Sequence, residues 1–352
     1  MAQFHKLNIK SIDRITDKSV AISFNIPEHL KTNFSFKAGQ YITLKTEING
    51  EEVRRDYSIC SSPLSNDITV GVKAVEGGTF SVYANEKLKA GDTLAVAEPN
   101  GRFIFEANEV KTRTIAAFAA GSGITPILSI ASTLLEGEPF SNFILVYGNK
   151  TLKDAMFIKE LLNLKETYGN RFHVHFIYSQ AQEDEALFGR IEKSTVNLIV
   201  KNKYKGVTIE KFYLCGPEPM IHTVKDVLLE NNIKENDILF ELFTAPVETA
   251  NNNAVEVSDG NTQIKVIVDD EEFEFEMSKE QSILEASLKQ DIDAPYSCQG
   301  GICSSCIARL TEGEATMRQN NILTDSEIAE GLVLTCQAHP TSSTIVVDYD
   351  DV

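Results

Sequence analysis

A chain of 352 residues is long enough for two or three domains, and its composition is that of an ordinary globular protein, with 42% hydrophobic residues. The net charge of −18 argues against nucleic-acid binding, because a phosphate backbone demands a basic surface. Residues 262–352 hold 18 acidic and 5 basic residues, a net charge of −13, whereas residues 1–245 hold 30 and 28. The acidic C-terminal part could steer a basic partner, or its charge could serve solubility alone.

Short strand-like segments separated by turn residues make up residues 1–108. Asn49-Gly50 lies between two of these segments and is the dipeptide most typical of a tight β-hairpin. Several short strands at regular spacing predict an antiparallel β-barrel. The expected strands include His5–Arg14, Ser19–Asn25, Tyr41–Ile48 and Glu52–Ser58.

Two motifs in this first region point to chemistry. Arg55-Asp56-Tyr57-Ser58 combines a cation, an aromatic ring and a hydroxyl, although these four residues alone could equally be an exposed strand edge. Gly78-Thr79-Phe80-Ser81 follows and predicts the start of a helix. A glycine turn at a helix N-terminus presents backbone N–H groups and the positive end of the helix dipole to a phosphate.

Residues 109–245 alternate between strands and helices, which predicts βαβ units and a parallel sheet covered on both faces. Ligands of such sheets bind at the carboxyl ends of the strands. Three turn motifs are expected there: Gly121-Ser122-Gly123-Ile124-Thr125-Pro126, Tyr147-Gly148-Asn149-Lys150 and Cys215-Gly216-Pro217-Glu218-Pro219-Met220. The first ends in proline where the dinucleotide pattern has glycine, so alone it is a weak signal. The expected strands are Thr114–Ala120, Asn142–Tyr147, Phe172–Tyr178 and Lys211–Cys215, and the expected helices are Pro126–Leu135, Lys153–Tyr168 and Met220–Asn231.

In combination these motifs resemble the ferredoxin–NADP⁺ reductase superfamily, in which an FAD-binding barrel precedes a nicotinamide-binding α/β domain. The resemblance implies that Arg55 pairs with the flavin pyrophosphate. It further implies that Tyr57 packs on the isoalloxazine ring and that Ser58 bonds near its N5, which makes both expected catalytic residues. Three more residues match the side of the family's site that holds the flavin phosphates, although many members have Arg at the first position: Lys73, Gly78 and Ser81.

The same resemblance implies a site for NADPH or NADH. Gly121, Gly123 and Thr125 would contact the dinucleotide. Cys215 and Gly216 would lie beside the nicotinamide ring, with Cys215 as a third catalytic candidate. Without the resemblance, a cysteine at the end of a buried strand is more simply a small core residue.

The sequence leaves the choice between NADPH and NADH open. Family members that prefer NADPH often place an arginine after the third strand to meet the 2′-phosphate, and Gln180 stands at that point. Arg190 or Lys150 could substitute for it. Glu241-Leu242-Phe243 is the last predicted strand of the domain, and family members often have a glutamate near the flavin there, although most carboxylates at strand ends are simply solvated.

Residues 246–261 break the periodic pattern and predict a polar linker. Beyond it, Gln263–Val268 and Glu272–Glu276 predict a hairpin that turns at Asp269-Asp270. Ser278–Gln281 predicts a capping box for a helix that ends near Lys289.

Four cysteines carry the strongest signal. Cys298, Cys303 and Cys306 follow the spacing C-x4-C-x2-C and Cys336 comes later, which is the plant-type pattern for a [2Fe–2S] cluster. Gly300, within the loop, allows the sharp turn that three converging thiolates require. A zinc site would more often show two paired C-x2-C units, and disulfides would suit a short secreted chain. Residues 262–352 thus resemble a plant-type ferredoxin domain with a β-grasp fold.

The expected fold is multi-domain: an antiparallel β-barrel FAD domain (1–108), an α/β parallel-sheet NAD(P)-binding domain (109–245), a linker (246–261) and a β-grasp ferredoxin domain (262–352). This order resembles that of oxygenase reductases, a family that includes the reductase subunit of phenylacetyl-CoA epoxidase. The resemblance implies that electrons pass from NAD(P)H through FAD and the cluster to a partner oxygenase, a di-iron enzyme such as that epoxidase. Two alternatives remain: service to a Rieske or membrane hydroxylase oxygenase, and a non-catalytic redox sensor.

No membrane span and no targeting segment is expected. Ile115–Ile130 is the most apolar stretch, but glycine, serine, threonine and proline interrupt it. Met1–Arg14 is polar and lacks the apolar core of a signal peptide. A cluster built on free thiols, with Cys60 and Cys215 as further free cysteines, favours the reducing cytoplasm. Cys60 is expected to be a core residue.

Overall fold

The structure is a computed structural model that describes residues 3–65, 67–243 and 260–352. The chain divides into two compact units, one formed by Phe4–Phe243 and one that contains residues 260–352. The predicted linker, 246–261, lies outside the described residues except for its last two positions, and Asn261 already begins a strand. The predicted domain boundaries at residues 108 and 245 stay predictions.

A six-stranded antiparallel barrel opens the first unit. Its strands are β1 (Phe4–Thr16), β2 (Ser19–Asn25), β3 (Tyr41–Ile48), β4 (Glu51–Ser58), β5 (Ile68–Lys73) and β6 (Thr93–Ala97). They are arranged in the order β4-β3-β6-β1-β2-β5, and a bridge between Ile59 and Val70 joins the two edge strands. Every second side chain of these strands enters a common core because strand side chains alternate between faces. Helix α1 (Thr79–Glu86) contributes the fully buried Phe80 to this core.

The hairpin predicted at Asn49-Gly50 is confirmed. Both residues have positive φ angles, 57° and 86°, as a tight type I′ turn requires, and β3 pairs with β4 across it in unbroken register. Its register places Tyr41 opposite Ser58, so the turn fixes where the last residue of the Arg55–Ser58 motif lies in the sheet.

A parallel six-stranded sheet forms the rest of the first unit. Its strands are β7 (Thr114–Ala120), β8 (Asn142–Asn149), β9 (Phe172–Tyr178), β10 (Leu187–Phe188), β11 (Ile209–Cys215) and β12 (Ile238–Glu241), and its helices are α2 (Ile124–Gly137), α3 (Ile158–Tyr168), α4 (Lys193–Asn197) and α5 (Glu218–Glu230). The strand order is β10-β9-β8-β7-β11-β12, so the chain adds strands first on one side of β7 and then on the other. This change of side, between β7 and β11, is the switch point at which doubly wound sheets bind ligands.

Part of the barrel region packs into the hydrophobic core of the parallel sheet, in addition to the barrel's own core. Cys60 and Phe103 of the barrel region pack in the same cluster as Ile127 of α2, which confirms the prediction that Cys60 is a core residue. Hydrogen bonds reinforce the contact, since the Ser129 hydroxyl donates to the Ser61 carbonyl at 2.6 Å. The two parts are therefore held in a fixed relation, as a site built from both requires.

A buried ion pair lies at the N-terminal end of the parallel strands, just before β7 begins. Glu138 is fully buried and accepts from the Arg113 guanidinium at 2.6 Å, from the Ser141 hydroxyl at 2.6 Å and from the Asn108 N–H at 2.9 Å. Burial alone would raise the pKa of Glu138, but these hydrogen bonds outweigh it and lower the pKa. A buried charge is tolerated where its partners are this complete.

The second unit is a β-grasp. Its five-stranded sheet has the order β14-β13-β19-β15-β17, and a small two-stranded sheet pairs β16 with β18. The strands are β13 (Asn261–Val268), β14 (Glu271–Ser278), β15 (Ile307–Glu312), β16 (Ala315–Met317), β17 (Leu332–Leu334), β18 (Ala338–Pro340) and β19 (Thr344–Asp348), and the helices are α6 (Ile283–Lys289) and α7 (Asp325–Ala329). The predicted turn at Asp269-Asp270 is confirmed, with positive φ at both residues.

The predicted helix cap at Ser278 is wrong. Ser278 ends β14, and Ser282 caps α6 four residues later, with its side chain accepting from the Glu285 N–H. Both serines are followed three residues later by Gln or Glu, so the pattern alone could not choose between them. Strand pairing decides, because Ser278 is opposite Asn261 in the β13–β14 ladder.

Candidate functional site

Two glycine turns meet at the switch point of the parallel sheet. Gly121 follows β7 with a φ of 57°, in the left-handed region that favours glycine. A Cβ on Gly123 would collide with the Cys215 carbonyl at the end of β11, and one on Gly216 would lie 2.8 Å from Met220 Cε and 3.1 Å from the Ala120 nitrogen. The structure thus brings together the predicted contact residues Gly121, Gly123, Cys215 and Gly216. The three glycines are required there by backbone conformation or by close packing.

Buried polar groups fix the shape of the first turn. The Tyr147 hydroxyl donates to the Gly121 carbonyl at 3.0 Å, and it also accepts from the Met156 N–H at 3.1 Å. The Thr125 hydroxyl donates to the Ser122 carbonyl at 3.0 Å, while Thr125 itself is almost fully buried. The structure therefore places Thr125 beneath the turn, and it adds Tyr147 as a support that sequence reasoning missed.

Ser58 of the barrel meets the end of the parallel sheet. Its hydroxyl donates to Glu241 Oε2 at 3.1 Å, and Glu241 is the register partner of Cys215 in the β11–β12 pair. Burial raises the pKa of Glu241 to about 8, although the bond from Ser58 opposes this. Burial likewise raises the pKa of the Cys215 thiol well above its ordinary value, so both groups are held in their neutral forms near pH 7.

The remaining flavin candidates line the barrel and the start of α1. The Tyr57 ring lies 5.5 Å from the Phe80 ring, and burial raises the pKa of its phenol. A Cβ on Gly78 would collide with the Ser81 hydroxyl oxygen, which accepts from the Val75 N–H at 3.3 Å.

Helix α1 begins at Gly78 without a side-chain cap, so its first N–H groups are available to an anion. Arg55 is exposed, and its guanidinium donates to the Arg54 carbonyl at 2.6 Å. A cation, an aromatic ring and an uncapped helix start are the features that a flavin with its pyrophosphate needs, so the residues present fit FAD.

Lys73, which the resemblance assigns to the flavin phosphates, also lies near the nicotinamide side, and its flavin role stays a prediction. Its amine is 3.9 Å from the position that a Cβ on Gly121 would occupy, so it faces the glycine turn after β7. Burial lowers the pKa of Lys73; the nearby charge of Asp154 opposes this, and that of Lys150 adds to it. The structure therefore brings Lys73 to the turn predicted for the pyridine nucleotide, 48 positions before Gly121 in the sequence, and the charge of Lys150 acts on it.

The four cysteines of the second unit converge as two pairs. Cys298 accepts a hydrogen bond from the Cys303 thiol, and Cys336 accepts one from the Cys306 thiol. Within the described residues, no three histidine, cysteine or acidic side chains surround a point as ligands of a single ion would. Two thiol pairs side by side suit two bridged irons better than one zinc ion, and all six cysteines of the chain are free thiols.

Backbone N–H groups point at these sulfurs. The Gly300 N–H donates to Cys298 Sγ at 3.3 Å. The bond from Cys303 and the N–H groups of residues 300, 302 and 303 lower the pKa of Cys298 to about 6, against the effect of burial. The Gly301 N–H acts in the same way on Cys336. Donors arranged around sulfur stabilise negative charge there, so this loop fits a [2Fe–2S] cluster.

Three family models match the chain in order: an oxidoreductase FAD-binding domain over residues 6–105, an oxidoreductase NAD-binding domain over residues 118–226 and a 2Fe-2S iron-sulfur cluster binding domain over residues 266–341. The chain is also 37% identical over 352 residues to a subunit of the 1,2-phenylacetyl-CoA epoxidase of Escherichia coli strain K12, a match that covers 99% of each. The chain belongs to the oxygenase reductases that join FAD-, NAD- and [2Fe–2S]-binding domains. The expected cofactors are thereby confirmed.

Other relatives extend the likeness over the same length. This reductase is 29% identical over 357 residues to the ferredoxin reductase component of a 3-ketosteroid-9-alpha-monooxygenase from Rhodococcus rhodochrous, which covers 97% of this chain and 96% of the relative. Among solved structures, phthalate dioxygenase reductase matches with a TM-score of 0.62 and 24% identity over 98% of each chain. The predicted fold class is confirmed. In the ranges that the structure describes, no helix has both the length and the apolar composition needed to cross a bilayer.

Glu241→Gln should change how stability depends on pH. A carboxyl whose pKa is raised to about 8 in the folded state and is about 4.3 in an unfolded chain costs stability as pH rises through this window. The glutamine keeps a hydrogen-bond acceptor for Ser58 without a charge, so the variant should exceed the wild type by about 1–3 kcal/mol at pH 9 and by at most a few tenths of a kcal/mol at about pH 4. Denaturant unfolding at both pH values measures this, and parallel profiles would contradict it.

Cys336→Ser should cost the protein its cluster, because one of the two thiol pairs loses a member. The purified variant should contain less than about a tenth of the wild-type iron and acid-labile sulfide, as ligand losses reduce metal affinity by one or more orders of magnitude. Cys60→Ser is the matched control, since Cys60 is buried in the other unit and should leave the iron content unchanged. Full iron and sulfide in Cys336→Ser would refute the assignment.

Proposed function

We propose that this reductase supplies electrons from NAD(P)H to a di-iron oxygenase that epoxidises phenylacetyl-CoA. The observation that carries the proposal is the 37% identity to a subunit of 1,2-phenylacetyl-CoA epoxidase, which extends over 99% of both chains. The separate identities to reductases of other monooxygenases are lower, at 29% and below.

The residues of the first unit bind and orient the reactants. When bound, FAD supplies the conversion of a two-electron hydride into single electrons, which a [2Fe–2S] cluster carries one at a time. Tyr57 offers its ring to the flavin, and Ser58 offers a hydroxyl whose orientation is fixed by Glu241 at 3.1 Å. Cys215 and Gly216 would line the nicotinamide side, where burial keeps the Cys215 thiol neutral and Gly216 adds no side chain.

Basic residues of the first unit are available for both kinds of phosphate in the nucleotide, the pyrophosphate and the 2′-phosphate. Lys73 faces the Gly121 turn, where a pyrophosphate would bind at the N-terminal end of α2, and the charge of Lys150 acts on it. We assign both lysines to the pyrophosphate that NADH and NADPH have in common. Arg190 is exposed after β10 and is left as the candidate for the 2′-phosphate. Arg55, Gly78 and Ser81 keep their proposed places at the flavin phosphates.

The nucleotide assignment predicts different effects for two alanine variants. Lys73→Ala should raise the KM for NADH and NADPH alike by about tenfold, because a charge-assisted hydrogen bond contributes about 1.5–3 kcal/mol. Arg190→Ala should raise the KM for NADPH by a similar factor and leave that for NADH unchanged. Steady-state kinetics with ferricyanide as acceptor measures both. A selective loss of NADPH use in Lys73→Ala would reverse the assignment.

The alternatives differ in the acceptor. A Rieske or membrane hydroxylase oxygenase would need the same three domains, and relatives include reductases of a 3-ketosteroid monooxygenase and of glycine betaine monooxygenase. A non-catalytic redox sensor would have no need of both the glycine turns at Gly121–Gly123 and Gly216 and the Ser58–Glu241 contact. The free state of all six cysteines supports the cytoplasm as the place of action.

A reconstitution experiment tests the proposal. Wild-type protein, mixed with NAD(P)H and the oxygenase components of a phenylacetyl-CoA epoxidase, should convert phenylacetyl-CoA to its epoxide. A chain truncated after Pro246 should remain yellow and reduce ferricyanide, because the barrel and parallel sheet share a core of their own, yet it should drive less than about a hundredth of the epoxidation. Tyr57→Ala with Ser58→Ala should slow both assays and spare the cluster's absorbance.

The outcomes separate the alternatives. Equal turnover with a Rieske oxygenase and none with the epoxidase would replace the proposed partner. Normal epoxidation by the truncated chain would show that the cluster is not on the electron path. No nucleotide oxidation with any acceptor, in protein loaded with FAD and cluster, would favour the sensor.

A further inference from the structure

Gln337 follows the last cluster ligand and reaches back to the loop that holds the first. Its Nε2 donates to the Gln299 carbonyl at 2.9 Å, across 38 positions in the sequence. One amide thus links the cysteine loop to the residue that follows Cys336, which arrives from a different part of the β-grasp.

The backbone at the other end of this contact is strained. Gln299 has a φ of 53°, in the left-handed region that residues with a side chain rarely adopt. That conformation directs the next N–H, of Gly300, to Cys298 Sγ at 3.3 Å. The bond from Gln337 to the Gln299 carbonyl therefore helps to hold the peptide that presents a donor to the first thiol pair.

Packing leaves Gln337 little freedom. A Cβ on Gly301 would lie 3.1 Å from Gln337 Cγ and 3.0 Å from the Gln319 carbonyl oxygen, so the side chain lies directly on the loop. The Gln337 carbonyl in turn accepts from the Arg318 N–H at 2.9 Å. Backbone and side chain are both anchored, which is what a positioning group requires.

A cavity of about 400 Å³ borders the same groups. Its lining includes Gln299, whose carbonyl Gln337 bonds, and Cys336, the neighbour of Gln337 in the sequence, together with Glu285 and Lys289 of α6. Cys336 is only 8% exposed at this wall. Loosening of the Gln299–Gln337 contact would open the cluster site to water from this side, and solvent access is one of the determinants of cluster potential and retention.

We propose that Gln337 is a positioning residue for the cluster: it fixes the cysteine loop through the Gln299 carbonyl, keeps the Gly300 N–H directed at Cys298 Sγ, and so stabilises the reduced cluster and protects it from loss. Neither the family match nor the cysteine spacing assigns this residue a role. The amide donates to the Gln299 carbonyl, so a side chain of the same length without a donor should lose the effect.

The test uses the full-length, cluster-loaded protein and two readouts apart from activity. Gln337→Met keeps the length and removes the donor. It should release iron to a ferrous chelator about tenfold faster than the wild type, the usual size of an effect on groups that support metal ligands. It should also shift the one-electron equilibrium with a redox dye about threefold to tenfold toward the oxidised cluster. The matched control is Gln290→Met, the same change at an exposed position in the same unit, which should alter neither quantity.

Two more variants keep the test decisive where Gln337→Met loads too little cluster. Gln337→Lys restores a donor of similar reach and should return iron release to within about twofold of the wild type, whereas Gln337→Glu has no donor and should not. Iron release and dye equilibrium equal to wild type in Gln337→Met would overturn the proposal. Equal iron release from the lysine and glutamate variants would overturn it as well.

Discussion

The bond between Ser58 and Glu241 joins the two halves of the reaction site. Ser58 ends β4 of the barrel and Glu241 ends β12 of the parallel sheet, 183 residues further along the chain, yet the two side chains are 3.1 Å apart. The flavin motif and the nicotinamide motif can serve one reaction only if these elements keep that distance. The shared core of Cys60, Phe103 and Ile127 provides the rigidity, and the hydrogen bond fixes the orientation of the reacting groups.

The chemistry of the two units calls for opposite surroundings. Hydride transfer is helped by groups that stay neutral, and burial accordingly raises the pKa of Glu241 and of Cys215. A cluster built on thiolates needs the reverse, and in the cysteine loop the N–H groups of residues 300, 302 and 303 lower the pKa of Cys298. The same chain achieves both, by desolvation in one place and by directed donors in the other.

Local signals in the sequence were sufficient for much of the fold. Asn49-Gly50 and Asp269-Asp270 specify their turns through backbone preference alone, and the parallel strands read as apolar runs because both faces are covered. The cysteine spacing predicted the cluster because three ligands lie in one loop. The cap of α6 failed for a local reason, since two overlapping serine patterns compete and only the β13–β14 ladder distinguishes them.

Contacts between residues far apart in the sequence could not be predicted from such local signals. Lys73 lies beside Gly121 because β5 and β7 belong to sheets that pack together, and a motif aligned to the flavin side gives no hint of it. Tyr147 opens one of the predicted turn motifs, but nothing in that motif signals that its hydroxyl supports the Gly121 turn. Gln337 follows a cysteine without any pattern of its own, and its significance depends on a carbonyl 38 residues away.

The pairing of the thiols has a consequence for how the protein matures. Cys298 and Cys303 belong to one short loop, so an iron could be held there by a largely local peptide, but Cys306 finds Cys336 only after β17 has paired with β15 and brought residue 336 into place. The buried chain from the Tyr349 hydroxyl through Thr335 to the Cys306 carbonyl, with bonds of 2.9 and 3.0 Å, requires the last strand as well. The four thiols would thus take up this arrangement only with the C-terminal strand of the ferredoxin domain in place.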